Sequence, residues 1–183
     1  LERAYSTDLK VLAASTWDEF GVLIDGARNT TVSGATMRGV SQGVALRNQC
    51  LNATVINCDI QYTVQSCITV GTSLGVVRGV ALLHNILKKS AIEDGVQFTQ
   101  DFSNRADDDT DDTNQGTVVA YNEIGDHGEN GIDLKGTTRV LIIGNILYGI
   151  TGSNNGWSPT SGSNRNSLSS ITRGANAYTH RVV

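Results

Sequence analysis

The sequence predicts an all-β fold in which short strands wind into a stack of about five to six coils. A tetrad of a small residue, an apolar residue, any residue and a second apolar residue recurs along the chain. Its five copies begin at Gly21, Gly43, Cys67, Gly95 and Gly131. Each repeat also holds a second apolar segment at a similar place, as in Thr54-Val55-Ile56. Units this short cannot bury an apolar face alone, so they must stack to share a continuous core.

An asparagine occupies the same turn position in the last three repeats. Asn85, Asn122 and Asn145 each stand two residues before an apolar residue, at a place that Ala35 and Cys58 fill in the first two repeats. Side-chain amides at one turn position of successive coils can stack and satisfy buried backbone groups. The pattern therefore predicts an asparagine ladder that runs through the stack.

The repeat is clearest over residues 21–150, and we expect residues 1–183 to form a single domain of this kind. Residues 1–20 are expected to form an incomplete coil or a cap. Residues 152–174 are rich in Ser, Asn, Gly and Thr, which predicts a loop near the C-terminus. Tyr178–Val183 has the pattern of another coil that begins there, and we expect the parent protein to continue with more coils.

Composition narrows the classes of function. The formal net charge is −4, and because non-specific nucleic-acid binding needs a basic surface, no nucleic-acid partner is expected. No apolar run approaches the roughly 20 residues that cross a bilayer, so no membrane span is predicted. Cys50, Cys58 and Cys67 have no metal-ligand spacing and are predicted to be buried free thiols. The sequence leaves the oligomeric state open.

Reactive side chains are densest at Gly131–Gly136 and in the turn before it. Apolar and charged residues alternate in Ile132–Lys135, which predicts a strand with one buried and one wet face. Asp133 and Lys135 then point the same way. The preceding turn adds four polar side chains: Asp126, His127, Glu129 and Asn130. Two interpretations of the Asp133 and Lys135 pair stay open, a functional cleft and a surface ion pair.

A second acidic group lies in the long fourth repeat. Residues 107–112 hold five carboxylates in six positions. Such a run is either a solvated acidic loop or a site for a hard cation such as Ca²⁺.

The repeat resembles that of the right-handed parallel β-helix proteins, the superfamily typified by pectate lyases. The resemblance implies that the first strand of each coil joins a sheet whose outer face is the substrate cleft. It also implies an extracellular or cell-surface location. On that face successive coils would align two columns of side chains. One column is Leu23, Ala45, Thr69, Gln97 and Asp133, and the other is Asp25, Arg47, Gly71, Thr99 and Lys135.

A metal site follows from this arrangement. Neighbouring coils lie about 4.8 Å apart, so Asp94, Asp126, Glu129 and Asp133 would converge near Lys135. Carboxylates that close cannot all stay ionised unless a cation lies between them. We therefore expect these four carboxylates to be the ligands of a Ca²⁺ ion.

The same cleft supplies candidates for catalysis and substrate binding. Lys135 is the expected base, because a lysine that is desolvated or crowded by cations loses its proton more easily. His127 is a second catalytic candidate. Gln97 and Thr99 are the expected contacts to the substrate nearby, and Arg47, about three coils away, is a distal one.

Three functions follow, and all of them have an acidic polysaccharide or another glycan as the partner. The favoured one is a metal-assisted polysaccharide lyase that cleaves a uronic-acid-containing polymer by β-elimination. The second is a non-catalytic glycan-binding or surface module, as in an adhesin or a tail spike. The third is a glycoside hydrolase that uses two of the same carboxylates. The motifs of polygalacturonases, alginate epimerases and pectate lyases are not recognisable here, so the resemblance extends to the superfamily alone.

Overall fold

A computed structural model describes residues 19–71, 77–99, 114–135, 137–150, 168–171 and 180–182. Within these ranges the structure contains β-strands and no helix. The strands form three parallel sheets. The sheets wind into a β-solenoid of about four turns. The predicted all-β solenoid is thus confirmed, whereas the prediction of five to six coils was too high.

The strands are short, and each full coil contributes one strand to each sheet. In chain order they are β1 (Phe20–Asp25), β2 (Thr31–Ser33), β3 (Thr36–Arg38), β4 (Gln42–Arg47), β5 (Thr54–Ile56), β6 (Asp59–Gln61), β7 (Ile68–Val70), β8 (Ala81–Leu83), β9 (Ile86–Lys88), β10 (Val96–Phe98), β11 (Asn114–Gln115), β12 (Val118–Ala120), β13 (Glu123–Gly125), β14 (Ile132–Lys135), β15 (Thr137–Ile143), β16 (Ile146–Tyr148), β17 (Leu168–Ile171) and β18 (His180–Val182).

The predicted tetrads form the first sheet, which stacks β1, β4, β7, β10, β14 and β17 in that order. The second sheet runs β2, β5, β8, β12, β15, and both β11 and β18 pair with β15. The third sheet runs β3, β6, β9, β13, β16. The register of the first sheet confirms one predicted column: Leu23, Ala45, Thr69, Gln97 and Asp133.

The core is a stack of aliphatic side chains enclosed by the three sheets. Val44, Ile68, Val96 and Ile132 occupy equivalent positions on successive strands, and all four are fully buried. Small and β-branched side chains suit this interior, because the pleat of a strand leaves little room between rungs. Cys50, Cys58 and Cys67 are free and buried, as predicted.

The asparagine ladder is also confirmed. The Oδ1 atom of Asn122 accepts hydrogen bonds from the backbone N–H and the side-chain amide of Asn85, each at 2.9 Å. Asn145 repeats these contacts to Asn122 at 2.9 and 2.8 Å. The Nδ2 atom of Asn122 also donates to the carbonyl oxygen of Leu82 at 2.9 Å. The amides therefore satisfy backbone groups at a turn that lies inside the solenoid.

The C-terminal region differs from its prediction in one respect. Leu168–Ile171 lies within the predicted loop 152–174, yet it forms β17 and pairs with β14. Pairing with the edge of β14 outweighs the loop-like composition, because strand formation depends on neighbours more than on intrinsic propensity. β18 lies within Tyr178–Val183 and pairs with β15, in line with the coil predicted to begin there.

Two predicted segments lie outside the described residues: most of the N-terminal cap, residues 1–20, and the acidic run 107–112. The part of the chain that is described contains no helix of the length and apolarity required to span a membrane.

Candidate functional site

An ion pair between Asp133 and Lys135 lies on the outer face of the first sheet. The two side chains leave β14 on the same side, and Asp133 Oδ2 pairs with Lys135 Nζ. The Asp133 side chain is fully buried, and that of Lys135 is only 18% exposed. The sequence left open a surface ion pair at this place, but the ion pair in the structure is buried. Each of its charges therefore depends on neighbouring groups for compensation.

Asp94 reaches the same face from the turn before β10. Its Oδ1 atom accepts hydrogen bonds from the backbone N–H and the side-chain amide of Asn130, at 2.8 and 2.9 Å. Asp94 is fully buried. Burial raises the pKa of Asp94 well above its usual range, and the carboxylates of Asp133 and Glu129 raise it further. A cation close to such a carboxyl group favours its ionised form.

Glu93 adds a further carboxyl group beside Asp94, and it is hydrogen-bonded to Ser66 on the preceding coil. Glu93 Oε2 accepts a hydrogen bond of 3.0 Å from Ser66 Oγ. Burial also raises the pKa of Glu93. Glu129 lies one coil above Glu93, with its backbone N–H donating to the Glu93 carbonyl at 3.1 Å. Carboxyl groups from two coils are thus held near one ammonium group.

Three buried oxygen atoms of this cluster have neither a hydrogen-bond partner nor an ion-pair partner within the described ranges. They are Asp94 Oδ2, Asn130 Oδ1 and Asp133 Oδ1. Thr69 Oγ1, two coils before Asp133 on the same column, also has none there. An unsatisfied buried polar atom costs about 1–3 kcal/mol. Their accumulation makes this cluster a candidate site for a ligand that brings positive charge or hydrogen-bond donors.

The types of these oxygen atoms fit a calcium ion. Ca²⁺ takes about six to eight oxygen ligands, and it prefers carboxylates, amide carbonyls and water. Asp94 and Asp133 supply two carboxylates, and Asn130 supplies an amide oxygen. No group of three or more His, Cys, Asp or Glu side chains is arranged for a metal ion among the described residues. A cation bound here would thus have two carboxylates, Asp94 and Asp133, and the amide oxygen of Asn130 as its protein ligands.

The pKa of Lys135 depends on these carboxylates. Burial, the largest single influence, lowers the pKa of Lys135. The hydrogen bond and charge of Asp133 act in the opposite direction, as do the charges of Asp94 and Glu129. Together they outweigh burial, and the pKa of Lys135 lies above its ordinary value. With its carboxylates ionised, Lys135 is therefore held as an ammonium group.

His127, a predicted catalytic residue, lies beneath the turn and is fully buried. Its Nδ1 atom is 2.8 Å from Ser90 Oγ, and its Nε2 atom is 3.0 Å from the carbonyl oxygen of Leu87. Burial lowers the pKa of His127 to about 3, so the imidazole is neutral at pH 7. A Cβ atom at Gly95 would approach Nε2 to 2.7 Å, so this position needs glycine. These contacts hold the turn in place, and the catalytic role of His127 stays a prediction.

Asp126, a predicted metal ligand, lies at the corner after β13. Its backbone N–H donates to the carbonyl oxygen of Tyr148 at 3.2 Å, and its φ angle is 60°. A Cβ atom at Gly149 would collide with its carboxylate. The carboxylates that act on the pKa of Asp94 are instead those of Asp133 and Glu129. The structure thus groups three of the four predicted ligands around Lys135 and places Asp126 beside Gly149.

The predicted substrate contacts all lie on the outer face. Gln97 is paired with Asp133 across the sheet and is nearly buried. Thr99 Oγ1 donates to the carbonyl oxygen of Gly71 at 3.1 Å. Arg47 lies three coils from Lys135, and its substrate contact, like the other two, stays a prediction.

Sequence reasoning did not assign roles to Ser66, Glu93 or Asn130. The sequence did carry a signal for Ser66 and Asn130. Each stands directly before the small residue that begins a tetrad. In the last four repeats the residues at this position are all polar: Gln42, Ser66, Asp94 and Asn130. Polar side chains at one position of successive coils share a column, as the asparagine ladder does.

Fold and site together define a parallel β-solenoid protein with a buried acidic cluster on the outer face of its first sheet. Comparisons with known protein families, with curated proteins and with solved structures found no significant match to this chain. The structure shows a parallel β-solenoid, and the resemblance to the pectate-lyase superfamily stays a prediction from the repeat.

Proposed function

We propose that this protein is a carbohydrate-active, extracellular or cell-surface lyase that cleaves a uronic-acid-containing polysaccharide by calcium-assisted β-elimination. One observation carries the proposal. Lys135 adjoins a cluster of buried oxygen atoms that lack partners in the described part of the chain, on Asp94, Asn130 and Asp133. A cluster of this composition is suited to a divalent cation, and an acidic sugar needs both a cation and a base for elimination.

Lys135 becomes a base when the charges of its neighbours are neutralised. The influences that raise the pKa of Lys135 all come from Asp133, Asp94 and Glu129. Once a cation compensates these carboxylates, burial remains as the main influence and favours the neutral amine. Cation binding and activation of the base are thus two consequences of one set of carboxylates.

Lys135 is the proton acceptor in this reaction. Lys135 Nζ takes the proton from the carbon α to the sugar carboxylate. The electron pair of that C–H bond forms a double bond to the β carbon, the bond from the β carbon to the glycosidic oxygen breaks, and this oxygen takes a proton from water. A bound calcium ion supplies positive charge that stabilises the enolate-like carboxylate in the transition state. Gln97 and Thr99, on the preceding coil, would contact the sugar.

A glycoside hydrolase is the second candidate, and the raised pKa of Asp94 favours it. A buried carboxyl group with a raised pKa can act as the general acid of glycoside hydrolysis. Asp133 would then be its carboxylate partner. The two mechanisms differ in product, because only elimination leaves an unsaturated sugar.

The test is incubation of the protein with polygalacturonate, alginate and hyaluronan, in calcium and in excess chelator. We expect calcium-dependent release of reducing ends together with the ultraviolet absorbance of an unsaturated uronate on at least one polymer. New reducing ends without that absorbance would establish the hydrolase instead. A folded protein that binds a polymer without cleaving any of them would establish a binding module and contradict both enzymatic mechanisms.

A further inference from the structure

We infer that Arg47 forms a second carboxylate-binding subsite on this face, so that the protein recognises two acidic groups of one polymer chain about 14 Å apart. The inference rests on the proposed function for its ligand class, an acidic polysaccharide. It does not depend on cleavage of that ligand.

Arg47 and Lys135 share one column of the first sheet. Leu46 pairs with Val70, Val70 with Phe98, and Phe98 with Leu134. The residue after each of these therefore lies on the same column: Arg47, Gly71, Thr99 and Lys135. Three steps of about 4.8 Å separate the two basic residues, which gives a span of about 14 Å along the stack.

The column between the two basic residues carries no charge. Gly71 has no side chain, and the hydroxyl of Thr99 donates to the Gly71 carbonyl. The adjoining column contributes Thr69 and Gln97, which are neutral, polar and nearly buried. Arg47, Thr99 and Lys135 are each partly exposed and form the accessible edge of this face. A polyanion that follows this edge meets neutral groups between Arg47 and the end of the column that holds Lys135 and the proposed cation.

Arg47 is held in a fixed position by its neighbours. Its guanidinium lies 4.4 Å from the centroid of the Phe20 ring. Its Nη2 atom donates to Gln42 Oε1 at 3.4 Å, and Gln42 is itself held by a 2.6 Å bond to Gln65. Arg47 Nε is buried, so a ligand carboxylate would reach the guanidinium through its Nη atoms. A pre-oriented guanidinium suits a carboxylate, which accepts two parallel N–H bonds from its planar fork.

The span identifies the ligand as an oligosaccharide of several residues. A single uronate can occupy only one end of the column. A longer chain reaches both ends, and the second contact then forms at a high effective concentration. Affinity should therefore increase with chain length until Arg47 is engaged, and should level off beyond that point.

The test is calorimetric titration with oligogalacturonates and alginate oligosaccharides of increasing length, in calcium. For wild-type protein we expect the affinity to rise by about tenfold to a hundredfold between the shortest and the longest oligosaccharides. Arg47→Gln should abolish that rise, and Arg47→Lys, which keeps the charge without the fork, should retain part of it. Arg139→Gln is the matched control, because Arg139 is exposed and lies on β15 of the second sheet.

A rise with length that survives in Arg47→Gln would overturn the inference, as would wild-type protein that binds neither oligosaccharide series. Failure of the proposed function has a different signature. Length-dependent binding that requires Arg47, without any cleavage product, would retain the subsite and remove the catalysis.

Discussion

Replacing Lys135 with methionine is expected to lower the rate of polysaccharide cleavage by about a hundredfold or more. Loss of a positioned general base typically costs a factor of about 10² to 10⁴. Methionine keeps an unbranched apolar side chain beside Asp133 but cannot accept a proton. The rate of formation of the unsaturated product, measured in saturating calcium, checks the prediction.

The matched control is Lys88→Met. Lys88 pairs with Glu123 at 2.6 Å on the third sheet, away from the acidic cluster. We expect this variant to cleave at the wild-type rate. Circular dichroism in calcium should show that both variants are folded, because the cation compensates Asp133 when its ammonium partner is gone. A folded Lys135→Met protein with the wild-type rate would remove Lys135 from the chemistry.

The second large effect concerns stability in acid and depends on His127. The pKa of His127 falls from 6.5 to about 3 on folding, because the ring is buried. Below pH 6.5 the unfolded chain therefore binds a proton that the folded chain does not. This contribution to the free energy of unfolding is complete above pH 6.5 and decreases by up to about 1.4 kcal/mol per pH unit as the pH falls towards 3. Over the whole window the loss is on the order of 5 kcal/mol.

His127→Gln should remove most of that acid dependence. Glutamine has a donor and an acceptor for the groups of Ser90 and Leu87, but it does not titrate. Denaturant unfolding at a series of pH values measures the free energy of unfolding of wild type and variant. In the difference between the two proteins, the opposing contributions of Glu93 and Asp94 cancel. His84→Gln is the control, since His84 is exposed and stacks on Tyr121. A wild-type acid dependence in His127→Gln would show that the ring is not held as a neutral imidazole.

The repeat made much of the fold predictable. Equivalent residues of successive coils must coincide, so the spacing of the tetrads predicted which strands pair and that Gln97 stands beside Asp133. The same reasoning predicted the ladder of Asn85, Asn122 and Asn145. Periodicity alone did not locate β17, because its Ser-rich sequence becomes a strand only through pairing with β14.

The site was less predictable, because side-chain direction within a turn has no period. Asp126 and His127 lie within three residues of Glu129, yet the turn directs His127 into the interior and leaves Asp126 beside Gly149. Asn130 acquires its importance from two bonds to Asp94 that leave its own Oδ1 atom unpaired within the described ranges. The complete burial of Asp133 likewise depends on the packing around it, which the alternation in Ile132–Lys135 does not encode.

Thermal unfolding in a calcium titration tests the central claim, that the oxygen atoms of Asp94, Asn130 and Asp133 form a cation site. A ligand bound only by the folded state raises the melting temperature with increasing concentration. We expect wild-type protein to show such a rise and Asp94→Asn to show little or none, although asparagine can still accept the hydrogen bonds from Asn130. Asp59→Asn, on the third sheet, should respond as wild type does. A wild-type melting temperature that calcium does not change, or an equal rise in Asp94→Asn, would contradict the account.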